Sequence, residues 1–394
     1  MNRRDAIKWL ASAPFASLAT RLYAAPASSA RVLIVFLRGG YDAASLLVPV
    51  SSDFYYQSRP NIAVPKPGGG PLASLPLNGE WALHPALRET IFPLYQKGQV
   101  AFIPFAGTDD LTRSHFETQD GIELGQPLEH SRNYQSGFLN RLLAVLEGPR
   151  PIAFTEQLPI VFRGNAQVPN MALKSVGKPG VDANQSSVIA SMYKGTPLGA
   201  QVKEGFAVRN EVLKDMAAEM EAASRNALTS KGFELEARRI AKLMKDQFNL
   251  GFVDVGGWDT HVGQGGAGGY LAGRLEELGR GLAGFADEIG PAWRDTLVVV
   301  ISEFGRTFRE NGNRGTDHGH GSVYWALGGG IRGGRIVGDQ VTVRQNSLFQ
   351  NRDYPVLNEY RAVLGGIFAR IYGLNPSQLD RIFSGVSPKD IGLV

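Results

Sequence analysis

Four of the six histidines in this 394-residue chain fall in short polar segments that follow apolar runs. After Arg31–Leu37 (R-V-L-I-V-F-L) comes R-G-G-Y-D, which carries Asp42. After Val100–Phe105 comes a segment containing T-R-S-H-F-E, with Arg113, Ser114 and His115. After Gly251–Val255 comes G-G-W-D-T-H, with Asp259 and His261. After Thr296–Ile301 comes S-E-F-G-R-T, with Glu303 and Arg306, and beyond it T-D-H-G-H-G, with Asp317, His318 and His320. Imidazole and carboxylate groups of this kind suit zinc, manganese, magnesium or calcium rather than soft metals. There is no cysteine, so thiolate zinc sites, iron–sulfur clusters and disulfides are excluded. In a hydrolase, one or two such ions polarise an ester oxygen and lower the pKa of a hydroxyl or water.

Each residue also has a plainer reading. Asp42 follows two glycines and fits a turn; Asp259 and His261 fit ordinary loop polar groups. Ser114 and Glu117 fit a capping box, and a hydroxyl at a helix N-terminus is also where a phosphate or sulfate is held. Glu303 closes an apolar run, where a carboxylate is costly unless paired or ligated. His318 and His320 flank one glycine; at most one is needed as a ligand, and His318 is preferred.

The apolar runs themselves read as strands buried on both faces. Helical patterns separate them: Leu83–Tyr95, the spacing Phe233, Ala237, Ile240, Met244, and Leu271–Ile289. A C-terminal stripe from Leu357 to Ile371 is stopped by Gly373. Alternating strands and helices predict an α/β fold with a mainly parallel sheet, and such sheets bind ligands outside the carboxyl ends of their strands. The polar segments should therefore converge. Residues 156–250 read as a cap or insertion: a Pro-, Gly- and Ser-rich stretch, then a charged helical one. Gly265–Gly269 reads as a turn before a helix. Gly328-x-Gly330-x-x-Gly333 matches a dinucleotide fingerprint, but a turn and short strand follow it where a helix is required, so it is set aside.

The first 30 residues open M-N-R-R-D-A-I-K-W-L and continue through a short, interrupted apolar stretch into small residues. This reads as a twin-arginine export signal, too short and polar for a stable membrane span. The expected partner is the twin-arginine translocase and the expected location periplasmic or secreted. The chain carries 41 Lys+Arg against 37 Asp+Glu, and without the first 30 residues the counts are 37 and 36. The basicity belongs to the leader, which removes a nucleic-acid partner.

In these motifs the chain resembles the secreted bacterial proteins grouped as domain of unknown function 1501: F-L-R-G-G-Y-D, L-H-P-A-L around His84, R-S-H-F-E, G-G-W-D-T-H, S-E-F-G-R-T and the later D-H, in family order from residue 31 to about 375. That family is similar in turn to the alkaline phosphatase and sulfatase superfamily. The resemblance implies a three-layer, alkaline-phosphatase-like α/β sandwich with a bimetal site at strand ends and a nucleophile opening a helix. It implies metal ligands at Asp42, Asp259, His261, Glu303 and His318, with His115 or Asp317 as substitutes, and Ser114 as nucleophile. Arg113 or Arg306 would bind the oxygens of an anionic ester. Two departures are visible: Phe304 stands where the superfamily has a histidine, and a single residue separates Asp259 from His261 where three are common. The expectation is an exported hydrolase of phosphate or sulfate esters; the alternative is a non-catalytic binding or envelope protein that keeps the fold and one metal.

Overall fold

Arg31–Leu37 sends Leu33, Val35 and Leu37 to one face and Val32, Ile34 and Phe36 to the other, all of them buried. A strand with no polar face is stable only inside a sheet covered on both sides. Each such side chain contributes about 1.5–3 kcal/mol relative to exposure, so the residues that follow this strand, β1, stand on a rigid mount.

The computed structural model describes residues 30–173, 183–205 and 232–394. The stretch read as an export signal and much of the charged stretch after Phe206 lie outside them. Three two-residue strands, β2 (Leu47–Val48), β3 (Leu75–Pro76) and β4 (Ala82–Leu83), form a small antiparallel sheet. The main sheet contains β1, β5 (Val100–Gly107), β6 (Pro151–Ala153), β7 (Leu250–Val255), β8 (Thr296–Ser302), β9 (Ser322–Leu327) and the short β10 (Arg335–Ile336) and β11 (Asn358–Glu359). Its order is β10-β5-β9-β8-β1-β7-β6, with β11 also on β5. Every pairing is parallel except those of β9, which runs against both β5 and β8.

One face is covered by the helices Phe233–Asp246 and Tyr270–Ile289. The other is covered by Phe138–Leu143, Tyr360–Tyr372 and Pro376–Ile382. The expected three-layer α/β arrangement with a mainly parallel sheet is therefore present. The stretch Phe233–Asp246 packs in the main core. Among the described residues no helix is long and apolar enough to cross a membrane.

Two local readings change. Leu83–Tyr95 is not one helix: Leu83 ends β4, Pro85–Leu87 form a 3-10 turn, and only Ile91–Gln96 is α-helical. Pro85 and Pro93 lack the amide hydrogens that a continuous helix would need. And β9, S-V-Y-W-A-L, lies inside the sheet although no spacing rule singled it out. Where the dinucleotide pattern ends, β10 follows and no helix does.

Candidate metal centre

The carboxyl ends of β1, β5, β7 and β8 deliver the polar segments to one edge, as the parallel topology requires. The two glycines after β1 make the packing there possible. A Cβ on Gly39 (φ 125°) would lie 2.7 Å from the Asp259 nitrogen, and one on Gly40 (φ 59°) would lie 2.4 Å from the Phe304 ring. Both also adopt backbone angles that favour glycine.

The centre of the arrangement is Asp259. His261 Nε2 lies 3.0 Å and His318 Nε2 3.4 Å from its Oδ1, and His115 Nε2 lies 3.5 Å from its Oδ2. The two Nε2 atoms of His261 and His318 are 3.1 Å apart. Each imidazole is held by its other nitrogen. His318 Nδ1 lies 2.9 Å from the Arg113 carbonyl, which has no proton to give, so Nδ1 donates. His261 Nδ1 donates to Asp317 Oδ1 (3.1 Å), and His115 Nδ1 to Glu303 Oε1 (2.8 Å). In the neutral rings all three Nε2 atoms then carry lone pairs. An outer partner on Nδ1 and a free, convergent Nε2 is how ligating histidines are usually held. His115, Asp259 and His318 present ligand atoms within 4.8 Å of one another.

Arg306 anchors the carboxylate. Its guanidinium donates to Asp259 Oδ1 at 2.6 Å and to the hydroxyl and carbonyl of Thr316. Burial works against the Asp259 charge, but the Arg306 hydrogen bond and charge outweigh it and hold the pKa below the usual carboxylate range. Burial of the His318 ring lowers its pKa, so it stays neutral and able to ligate near pH 7. Phe304 forms an apolar wall, its ring 4.9 Å from His115 and 5.2 Å from His318.

Several expected members sit elsewhere. Asp42 is outside the cluster: its fully buried carboxylate takes two bonds from Arg59 (2.5 and 2.9 Å), one from Ser45 (2.7 Å) and one from Gln264 (2.6 Å). Burial opposes its charge, yet Arg59 more than compensates and depresses its pKa. Glu303 reaches the cluster only through His115; its other bonds come from Gly39 N–H, Gln119 and Ser302. Asp317 stands behind His261 and also accepts from Asn311. The guanidinium of Arg113 is engaged by Asp353 and Gln350 and that of Arg306 by Asp259 and Thr316, so both already pair with carboxylates of the protein. Ser114 N-caps the helix His115–Leu124 by accepting from Glu117 N–H. His320 packs against the Phe349 ring instead of joining the cluster.

Arg59, Gln264, Thr316 and Gln119 were not singled out in the sequence. Gln264 links the two aspartates: its amide donates to Asp42, and its oxygen accepts from Thr260 and from Thr316, which in turn accepts from Arg306. A polar pocket of about 520 Å³, lined in part by Arg38, Gln119, Glu123 and Asp254, is linked to the cluster by the hydrogen bonds from Gln119 to Glu303 and from His115 Nδ1 to Glu303.

Fold and cluster together define an α/β sandwich protein with an imidazole–carboxylate centre at its strand ends. The chain belongs to the family described as "Protein of unknown function (DUF1501)", whose model matches residues 29–383. Solved structures to which it is similar include a protein in the alkaline phosphatase superfamily from Vibrio parahaemolyticus, at 13% identity over 78% of this chain and 62% of that one, TM-score 0.37. Others are the lipoteichoic acid synthase LtaP from Listeria monocytogenes, at 9% over 93% and 76%, TM-score 0.39, and the PsFucS1 sulfatase from Pseudoalteromonas sp., at 12% over 81% and 66%, TM-score 0.36. The chain thus spans less than two thirds of the first of these proteins. Comparison with curated proteins finds no match.

Proposed function

We propose that this chain is a metal-dependent hydrolase of phosphate or sulfate esters, exported through the twin-arginine translocase to the periplasm or beyond. The observation that carries the reading is the convergence of the His261 and His318 Nε2 atoms on Asp259 Oδ1, with each Nδ1 tied from behind. Two lone pairs 3.1 Å apart beside a carboxylate repel one another unless a cation joins them, which is the fit expected of a metal site.

A bound divalent ion would supply a Lewis acid there. The protein's own groups do the rest. Arg306 holds Asp259 in place, itself braced by Thr316 and through it by Gln264, and Phe304 excludes water from one side of the rings. Ser114 opens a ten-residue helix one position before His115, where backbone N–H groups favour an anionic ester. As nucleophile, its oxygen bonds to phosphorus or sulfur while the ester alkoxide departs and takes up a proton. Water then cleaves the seryl ester and restores the hydroxyl.

Purified protein assayed against aryl phosphates and sulfates, with metal analysis alongside, tests this. Turnover that needs the metal and falls at least about 100-fold in Ser114→Ala supports the assignment; metal-free inactive protein, or unchanged turnover in Ser114→Ala, contradicts it. One observation favours the second reading, a non-catalytic envelope protein: Asp42 is neutralised by Arg59, so one strand-end carboxylate is withdrawn from chemistry. Metal binding without hydrolysis across the whole panel would select that reading.

A further inference from the structure

We propose that His115 is a metal ligand, the third imidazole of a centre that takes a single zinc-like divalent ion. The inference rests on the metal site proposed above and adds its composition and stoichiometry.

The first argument is the environment of His115 itself. Its Nδ1 is committed to Glu303, a fully buried carboxylate held in place by Gly39 N–H and by the Gln119 amide. The ring is thereby fixed with Nε2 directed away from that anchor. Nε2 is shielded from solvent and has no hydrogen-bond partner. What it faces is Asp259 Oδ2 at 3.5 Å and the neighbouring His318 ring, 4.2 Å away between centroids. In the neutral ring this atom is a buried, unpartnered acceptor next to another acceptor, which is unfavourable, and a cation shared by the two removes the conflict. Glu303, whose place in the sequence suggested a ligand, is thus the outer partner that orients one.

The second argument concerns number. A second ion would need another set of free ligand atoms. Asp42 has both oxygens occupied by Arg59, Ser45 and Gln264, and Glu303 has both occupied by His115, Gln119, Gly39 and Ser302. Among the described residues, His115, Asp259 and His318 form the one group of three or more such side chains disposed to hold an ion; His261 Nε2 adjoins it, 3.0 Å from Asp259. Arg59 already supplies the positive charge that Asp42 requires.

The third argument concerns identity. Three imidazole nitrogens and one carboxylate suit zinc and its borderline neighbours. Magnesium and calcium prefer all-oxygen sites.

The test uses the full mature chain stripped of metal and titrated with zinc by calorimetry and with cobalt(II) by absorption. One ion per chain is expected, tight for zinc and at least about 100-fold weaker for magnesium and calcium. His115→Ala should weaken zinc by at least about 100-fold and alter the cobalt d–d bands, while the melting temperature of the metal-free protein stays near wild type. Unchanged affinity and bands in His115→Ala overturn the proposal, as do two ions per chain. If that variant does not fold, X-ray absorption on the zinc-loaded wild type decides: three imidazoles are expected, and two contradict. Zinc bound by three histidines in a protein that hydrolyses no ester would sink the hydrolase reading and leave this one standing. Ester hydrolysis with wild-type zinc affinity in His115→Ala would do the reverse.

Discussion

Two strand-end aspartates, both held below their usual pKa, lead opposite lives in this molecule. Asp42 is buried and every partner it has is a donor: a guanidinium, a hydroxyl and an amide. Asp259 is partly exposed, and besides Arg306 its neighbours are imidazole nitrogens whose protons point elsewhere. Around Asp42 the charges and hydrogen bonds close on themselves. Around Asp259 they leave ring nitrogens facing the carboxylate and one another. Gln264 and Thr316 join the two regions, so the closed one serves as the frame of the open one. Residue type does not decide whether a carboxylate ligates; the partners that reach it first do.

His84 extends the contrast. Its Nδ1 accepts from Ala86 N–H and its Nε2 bonds the Gly266 carbonyl, two residues from Gln264, so both nitrogens are used within the frame. The cluster imidazoles spend only one nitrogen each in that way.

The comparison is open to being broken at three points, in falling order of effect. Arg59→Met leaves Asp42 as an uncompensated buried charge and is expected to cost about 3–5 kcal/mol in urea unfolding, whereas Asp42→Asn/Arg59→Met recovers most of it. A loss under about 1 kcal/mol would mean that the pair is not the closed unit described. His84 gives the next test. Burial pushes its pKa down to about 4, below the roughly 6.5 of an unfolded histidine. Above pH 6.5 both states are neutral and the group is silent. As the pH falls from about 6.5 toward 4 the unfolded chain takes up a proton that the folded chain refuses, so stability drops by about 1.4 kcal/mol per pH unit, of order 3 kcal/mol in all. Melting curves of wild type and His84→Gln over that range should show the steeper fall in wild type; parallel curves would contradict it. Smallest is Glu303→Gln, which removes the charged anchor of His115 and should weaken zinc binding about 10–100-fold. Wild-type affinity in that variant would show that the anchor does not matter to the centre.

Much of this could be read in the sequence, for a definite reason. Strands buried on both faces are continuous apolar runs, so β1, β5, β7 and β8 stand out, and in a parallel sheet their carboxyl ends point one way. Asp259, His115, His261 and His318 lie in the segments to which that rule points. What sequence could not show was which carboxylates were already taken. Arg59 arrives from the C-terminal end of the short helix Asp53–Ser58, and Gln264 reaches Asp42 from 222 residues away. Neither has a local signature, so Asp42 and Glu303 read as ligands when their oxygens are occupied. The antiparallel β9 was missed because S-V-Y-W-A-L is a short run set between the glycine-rich segments G-H-G and G-G-G, and Leu83–Tyr95 was over-read because its apolar spacing masked two prolines.

The most direct test of the account is anomalous-difference crystallography at the zinc edge on zinc-loaded crystals. A single peak among Asp259, His115, His261 and His318, with none beside Asp42, is the predicted result. No peak in the cluster, or a second one at Asp42 with Arg59 displaced, would contradict it.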